Sequence, residues 1–332
     1  MRHIYDTLVG LAYGDSLGMP VEMWPRKRAF EAVGKVDRLL PGQTGNLITS
    51  SLKKGAVTDD THISLILCQQ LIEEGDIIPE HFLSRLMNWV ENNPESAELI
   101  GPSTIKAVEL FQQGMALEQI GLFGETNGGA MRIAPIGIFF DLREFDTFMA
   151  KVHLACLPTH NTAIAISGAA AIAAAVSYGV HVGSDLNEML TWVRKAATAG
   201  RDFGRDLGYP HIDKRLDLII SLFNQHKDVE ARQELLHKSL GTSIQTIDSV
   251  PTSLATALFY QGQLRESLQF TANLGGDTDT ISAMTGAICG ALNGAHQIPA
   301  EDIELIERVN SIDFSGIADR ICQKLDSMPR LS

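Results

Sequence analysis

The chain has 332 residues, 45% of them hydrophobic and 20% charged, with a formal net charge of −13. That composition can bury a large core and excludes an intrinsically disordered chain. The acidic balance, with no dense run of Lys or Arg, argues against nucleic acid as a partner, since such partners select a basic patch; Arg26-Lys27-Arg28 is short and reads as a solvated loop.

In chain order, residues 3–18 read as a helix carrying Ile4, Leu8, Leu11 and Ala12 on one face and ending near Gly14 or Gly18. Asp6 interrupts what would be the apolar core of a signal peptide, so a soluble cytoplasmic protein is expected. From Pro20 to Val57 the chain is irregular, with Pro25, Gly34, Pro41, Gly42, Gly45 and Gly55, and a connection of that length suits a functional lid. Helices are predicted at 61–74, 79–91 and from Pro102 to about Gln113, with a short one at 117–120. A turn-rich segment, 124–132, leads into the apolar run Ile133–Phe140, which could be extended. Further helices fit 144–156, 162–180, 184–199, 212–226 and 228–239.

Pro251 can open another helix, carrying Leu254, Ala255 and Leu258, and helical stretches lie near 300–310 and 315–327. The alanine-rich run after Ala163 is long and apolar, but it stands mid-chain without a partner span, so a buried core helix is favoured and no membrane span is expected. Cys68, Cys156, Cys289 and Cys322 show no metal-ligand spacing and are expected as buried thiols. Gly286, Gly290 and Gly294 recur every fourth residue, which suits close packing against a neighbouring helix, with Ala163–Ala175 as the expected partner. The expectation is one all-α domain over 1–332, a compact orthogonal bundle of many helices.

Two short stretches carry chemistry. Thr58-Asp59-Asp60-Thr61 opens the apolar pattern Ile63, Ile66, Leu67, Leu71, and Gly275-Gly276-Asp277-Thr278-Asp279-Thr280 opens Ile281, Met284, Ile288, Leu292. Asp and Thr are ordinary helix N-caps, but capping needs one acidic residue, not two flanked by threonines at both ends of the chain. If the turns face each other, four carboxylates meet, and they repel unless cations hold them. Oxygen-only ligands suit Mg²⁺, Mn²⁺ or Ca²⁺ rather than Zn²⁺.

These turns, together with Gly14-Asp15-Ser16-Leu17-Gly18, Pro20, Glu22, Asn127-Gly128-Gly129-Ala130-Met131-Arg132, Pro135 and Thr159-His160, resemble the ADP-ribosylglycohydrolase family in five blocks in the expected order. That family's bacterial type member removes ADP-ribose from dinitrogenase reductase. The resemblance implies an all-helical fold with two Mg²⁺ (or Mn²⁺) ions in a cleft, held by Thr58, Asp59, Asp60, Asp277, Asp279 and Thr280. It implies Glu22 on a lid as the group that activates water, with Asp60 and Asp277 also in the catalytic set. Asn127, Gly128, Gly129, Met131, Arg132 and His160 would bind the substrate, and Gly128-Gly129 would leave backbone N–H groups open to a diphosphate.

The expected substrate is an ADP-ribosylated protein, modified on arginine. Another ADP-ribose-containing or nucleotide-derived glycoside, or ADP-ribose binding without turnover, stays open. Thr126 stands where the family often has glycine, Ala130 replaces bulkier residues, and the family's extra acidic residue near 90–105 has only Glu91, Glu95 and Glu98 as candidates.

Overall fold

The structure, a computed structural model, describes residues 3–93 and 99–328. Helix α1 (Ile4–Gly18) is followed by a 3-10 turn (Met19–Val21), α2 (Arg26–Val33), α3 (Asp59–Glu74), α4 (Pro79–Asn92), α5 (Pro102–Gln112) and α6 (Leu117–Ile120). Two short helices, α7 (Gly128–Met131) and α8 (Ala134–Phe139), precede α9 (Phe145–Cys156), α10 (Ala163–Ser177) and α11 (Leu186–Gly200). The rest comprises α12 (Ile212–Gln225), α13 (Val229–Leu235), α14 (Thr246–Phe259), α15 (Leu264–Thr271), α16 (Thr278–Asn293), α17 (Ala300–Asn310) and α18 (Phe314–Ser327). Among the described residues there is no strand, only three isolated bridges, and the fold is all-α as the sequence implies.

The layout centres on α1 against α16. A Cβ placed on Gly18 would lie 2.2 Å from Thr278 O, on Gly14 2.2 Å from Ser282 O, and on Gly10 2.3 Å from Gly286 O. The register falls by four on one helix as it rises by four on the other, so the helices run antiparallel with their backbones in contact. This corrects the sequence expectation: the partner of Gly286 and Gly290 is α1, not Ala163–Ala175, while Gly294 lies past the helix end with φ +83°. The missed signal was the matching four-residue spacing of Gly10, Gly14 and Gly18. Close approach brings the C-terminus of α1 onto the N-terminus of α16, which is where the site forms.

Gly10→Ala is expected to destabilise the protein by about 1–3 kcal/mol through overpacking. Helix propensity alone would predict a gain of up to about 1 kcal/mol for the same change. Urea unfolding reads the sign directly.

Four other expectations change. Ile133–Phe140 is not extended but contains α8, all of it buried; a short apolar run cannot distinguish a buried strand from a buried helix. Pro251 lies inside α14 rather than at its start, because Thr246 N and Oγ1 both bond Glu125 O and begin the helix five residues earlier. The 20–57 segment is not wholly irregular, since it holds α2. Cys322 is exposed, whereas Cys68, Cys156 and Cys289 are buried as expected. The apolar stretch Ala163–Val182 is long enough to cross a membrane, yet residues 163–180 of it are buried within the protein, and α10 packs on α11 and α8.

Candidate active site

The two acidic turns meet. Thr280 Oγ1 donates to Asp60 Oδ2 at 3.1 Å, joining positions 220 residues apart. Neither pair of carboxylates caps its helix: Thr58 supplies the cap of α3 by accepting from Asp60 N, and Asp277 makes no capping bond to α16. The carboxylates are therefore free for another task. All six of Thr58, Asp59, Asp60, Asp277, Asp279 and Thr280 are buried.

Asp15, from α1, fixes the first turn. Its carboxylate accepts from Thr58 N (3.0 and 3.1 Å), Thr58 Oγ1 (2.9 Å), Thr61 N (3.1 Å) and Thr61 Oγ1 (2.5 Å). Burial raises its pKa to about 6, against the lowering effect of these bonds. Asp15 thus acts on the site through Thr58 and Thr61, a structural role that the sequence alone left undecided.

Glu22 reaches the same place from the segment after α1. Met23 N donates to Gly276 O (2.7 Å), Gly276 N to Trp24 O (2.9 Å), and Asn46 Nδ2 to Glu22 O (2.8 Å). Met23 itself has φ +59°, a strained conformation for a non-glycine that this pairing maintains beside the site. Gly276, at φ +81°, allows the approach: a Cβ there would sit 2.2 Å from Thr242 O, the carbonyl that accepts from Asp277 N. As a result, Glu22, Asp277 and Asp279 each bring a carboxylate oxygen within 4.8 Å of the other two.

So many carboxyls cannot all ionise in one buried place. Burial, then Asp277 and Asp59, push Glu22 well above its ordinary range. Burial, Asp15 and Asp59 do so for Asp60, and burial with Glu22 and Asp277 for Asp279. Asp59 rises to about 8, chiefly by burial and the Asp15 charge, and Asp277 to about 6 by burial.

Glu22 Oε2, Asp60 Oδ1 and Asp279 Oδ1 are buried with no hydrogen-bond partner among the described residues. Three orphaned carboxylate oxygens in an oxygen-only set fit a hard divalent cation, which would both neutralise and coordinate them. The cluster is able to hold a metal ion, and Glu22 stands among the possible ligands, a feature the sequence reading did not foresee.

Above the cluster is a cleft of about 240 Å³. Its lining combines the acidic and hydroxyl groups of Glu22, Asp59, Asp277, Asp279 and Thr280 with the apolar side chains of Ile100, Pro102, Met131 and Ile244. Thr126, Asn127 and Gly128 also line it, and Asn127 Nδ2 donates both to Asp277 Oδ2 and to Ser249 Oγ (3.0 Å). Thr58 and Asp60 sit behind this surface.

Three residues that the sequence assigned to the substrate are placed elsewhere. Arg132 is fully buried and donates to Gly128 O (2.7 Å), Ala155 O (3.1 Å) and Thr159 Oγ1 (2.6 Å). His160 is also fully buried, and its ring lies against Gly128, where a Cβ would come within 2.8 Å of Cε1. Gly129 faces His160 and Cys156 Sγ. The two glycines are needed to seat His160 behind the loop, and Gly128 also lines the cleft. The His62 ring packs against Trp89, with centroids 5.4 Å apart and planes tilted by 36°. Of the candidates for a further acidic residue, Glu91 is exposed on α4, and Glu95 and Glu98 lie outside the described residues.

Comparison with known proteins bears on this site. The family model described as ADP-ribosylglycohydrolase matches residues 1–329. The chain is 33% identical to an uncharacterized protein, YegU, of Escherichia coli K12, over 97% of each. It is 26% identical to mouse ADP-ribosylhydrolase ARH3, over 88% of this chain and 84% of that protein. It is 25% identical to the ADP-ribosylarginine hydrolase Tri1 of Serratia proteamaculans, over 92% and 76%. Among solved structures, one titled "ADP-ribosylglycohydrolase-related protein complex" superposes with a TM-score of 0.71 at 20% identity, covering 97% of this chain and 98% of the other.

Proposed function

The chain belongs to the ADP-ribosylglycohydrolase family, a family of glycoside-cleaving enzymes, and from that premise we propose that it hydrolyses the bond between ADP-ribose and an arginine side chain of a modified protein. The observation that carries this reading is the buried carboxylate cluster lining a cleft together with apolar side chains. The arginine linkage is supported by the likeness to a protein named as an ADP-ribosylarginine hydrolase.

In this reading Thr58, Asp59, Asp60, Asp277, Asp279 and Thr280 would hold two Mg²⁺ or Mn²⁺ ions, which when bound would supply Lewis acidity toward ribose hydroxyls and water. Glu22 takes a proton from a water as that water attacks the anomeric carbon. The developing oxocarbenium character is stabilised by the surrounding carboxylates, and the side chain leaves with the glycosidic electron pair. Asn127 holds Asp277 in place through the cycle, and Met131 and Ile100 exclude bulk water from one side.

The test is incubation with an ADP-ribosylated arginine peptide, with Mg²⁺ and with EDTA. Release of ADP-ribose with metal and none with chelator is expected. Metal-independent release, or no release from a protein that is still thermally stabilised by ADP-ribose, rules the proposed reaction out.

A further inference from the structure

The turn that carries Glu22 is held in a form its own residues disfavour. Trp24 N donates to Val21 O at 3.1 Å, closing a four-residue turn with Glu22 at φ −46°, ψ 138° and Met23 at φ +59°. Those angles describe a type II turn, whose third residue is ordinarily glycine because φ must be positive there. With a side chain at that place the type I turn is preferred, and the two forms differ by roughly a half-rotation of the central peptide, here Glu22–Met23. Both ends of that peptide are tied. Its N–H, on Met23, donates to Gly276 O at 2.7 Å, and its C=O, on Glu22, accepts from Asn46 Nδ2 at 2.8 Å. Asn46 is itself buried, and its Oδ1 accepts from Ile48 N (2.9 Å) and Thr49 N (3.1 Å). The orientation of this amide is fixed by its partners, since a backbone carbonyl can only accept and a backbone N–H can only donate. One side chain thus joins the backbone at Ile48, which lines the cleft, to the peptide that follows Glu22.

We infer that Asn46 is a positioning residue for Glu22: it latches the Glu22–Met23 peptide in the type II orientation, the one in which the lid pairs with Gly276 and sets Glu22 beside Asp277 and Asp279. Without the amide, Glu22 O loses its donor, and the positive φ of Met23 has only the Gly276 bond to sustain it. Rotation of the peptide relieves the strain at Met23. It also turns the Glu22 carbonyl toward Gly276 O, where two acceptors repel, so the pairing that docks the lid on the Asp277 turn is lost. The inference rests on Glu22 as the group that activates water.

Two mutant cycles on the release of ADP-ribose from the modified arginine peptide in saturating Mg²⁺ test it, together with a crystal structure of Asn46→Asp. That change keeps an acceptor for Ile48 N and Thr49 N but sets an oxygen, not an N–H, against Glu22 O. It is expected to lower kcat on the order of tenfold or more, as small misplacements of a reacting group do, with KM changed by no more than about twofold. Met23→Gly, for which positive φ is unstrained, should reduce the effect of Asn46→Asp about fivefold. In the Glu22→Gln background Asn46→Asp should lower kcat no further, because the group it positions is already lost. The crystal structure should show Met23 at negative φ. An unchanged kcat, a loss that glycine does not relieve, a full further loss in the Glu22→Gln background, or Met23 still at positive φ each overturns the inference and leaves Glu22 as the base. Undiminished turnover in Glu22→Gln removes the base, and the inference with it. A wild type that releases no ADP-ribose removes the substrate reading, and the crystal structure then decides for or against the latch by itself.

Discussion

Glu22→Gln is expected to lower kcat by about 10²–10⁴-fold, the usual contribution of a general base, while ADP-ribose binding survives. The amide keeps the size of the side chain but cannot take a proton. The fold gives Glu22 little freedom to be replaced by a neighbour: its backbone is fixed by Asn46 on one side and by the Met23–Gly276 pairing on the other. Its Oε2 is buried without a partner among the described residues, and its carboxylate lies close to those of Asp277 and Asp279.

The same variant separates two roles for Glu22. A base that does not bind metal leaves the Mg²⁺ concentration for half-maximal activity unchanged, whereas a ligand raises it. Undiminished turnover would remove Glu22 from the chemistry. At neutral pH the metal-free variant should also be more stable than the wild type, because an amide stays neutral in the crowded buried cluster without having to hold a proton there.

The second large effect is a link between pH, metal and stability. Asp15 and Asp277 rise to about 6 and Asp59 to about 8, from an ordinary value of 3.8. Between those limits the folded, metal-free protein holds protons that the unfolded chain has released. For these three groups the derivative of unfolding free energy with pH is therefore negative: the stability they contribute is fullest below about pH 4 and is lost as pH rises to about 8. A displacement of about two pH units corresponds to about 3 kcal/mol for one carboxyl.

Divalent cations bind the ionised form, so they restore what deprotonation removes, and the stabilisation they give must grow with pH. Melting temperatures from pH 4 to 8 in EDTA and in Mg²⁺ are expected to diverge steadily. A metal-free Tm that is flat or rises over this interval would contradict the clustering of these carboxylates. So would a Mg²⁺ shift that is the same at every pH.

Much of this was legible in the chain. The helical periods place most helices within a few residues, and the two acidic turns announce themselves because their carboxylates exceed what a cap requires. The less legible features depend on tertiary contact. Gly10, Gly14 and Gly18 reveal a close helix contact only when set beside Gly286 and Gly290, and pattern alone favoured an alanine-rich partner. Thr246 starts α14 ahead of Pro251 because a distant carbonyl, Glu125 O, takes its N–H. Arg132 and His160 sit in a cleft-lining motif but point away from the cleft, and no spacing rule distinguishes a residue that touches a ligand from one that supports its neighbour. Asp15 was ambiguous for the same reason: its five contacts all come from a turn more than forty residues away.

The central claim is that two oxygen-rich helix starts converge on a divalent cation. A crystal grown with Mn²⁺ and measured for anomalous scattering tests it directly. Manganese is expected beside Glu22, Asp60, Asp277 and Asp279, within coordination distance of carboxylates from both turns. Manganese found only at surface acids, with the buried cluster still protonated and closed on itself, would contradict it.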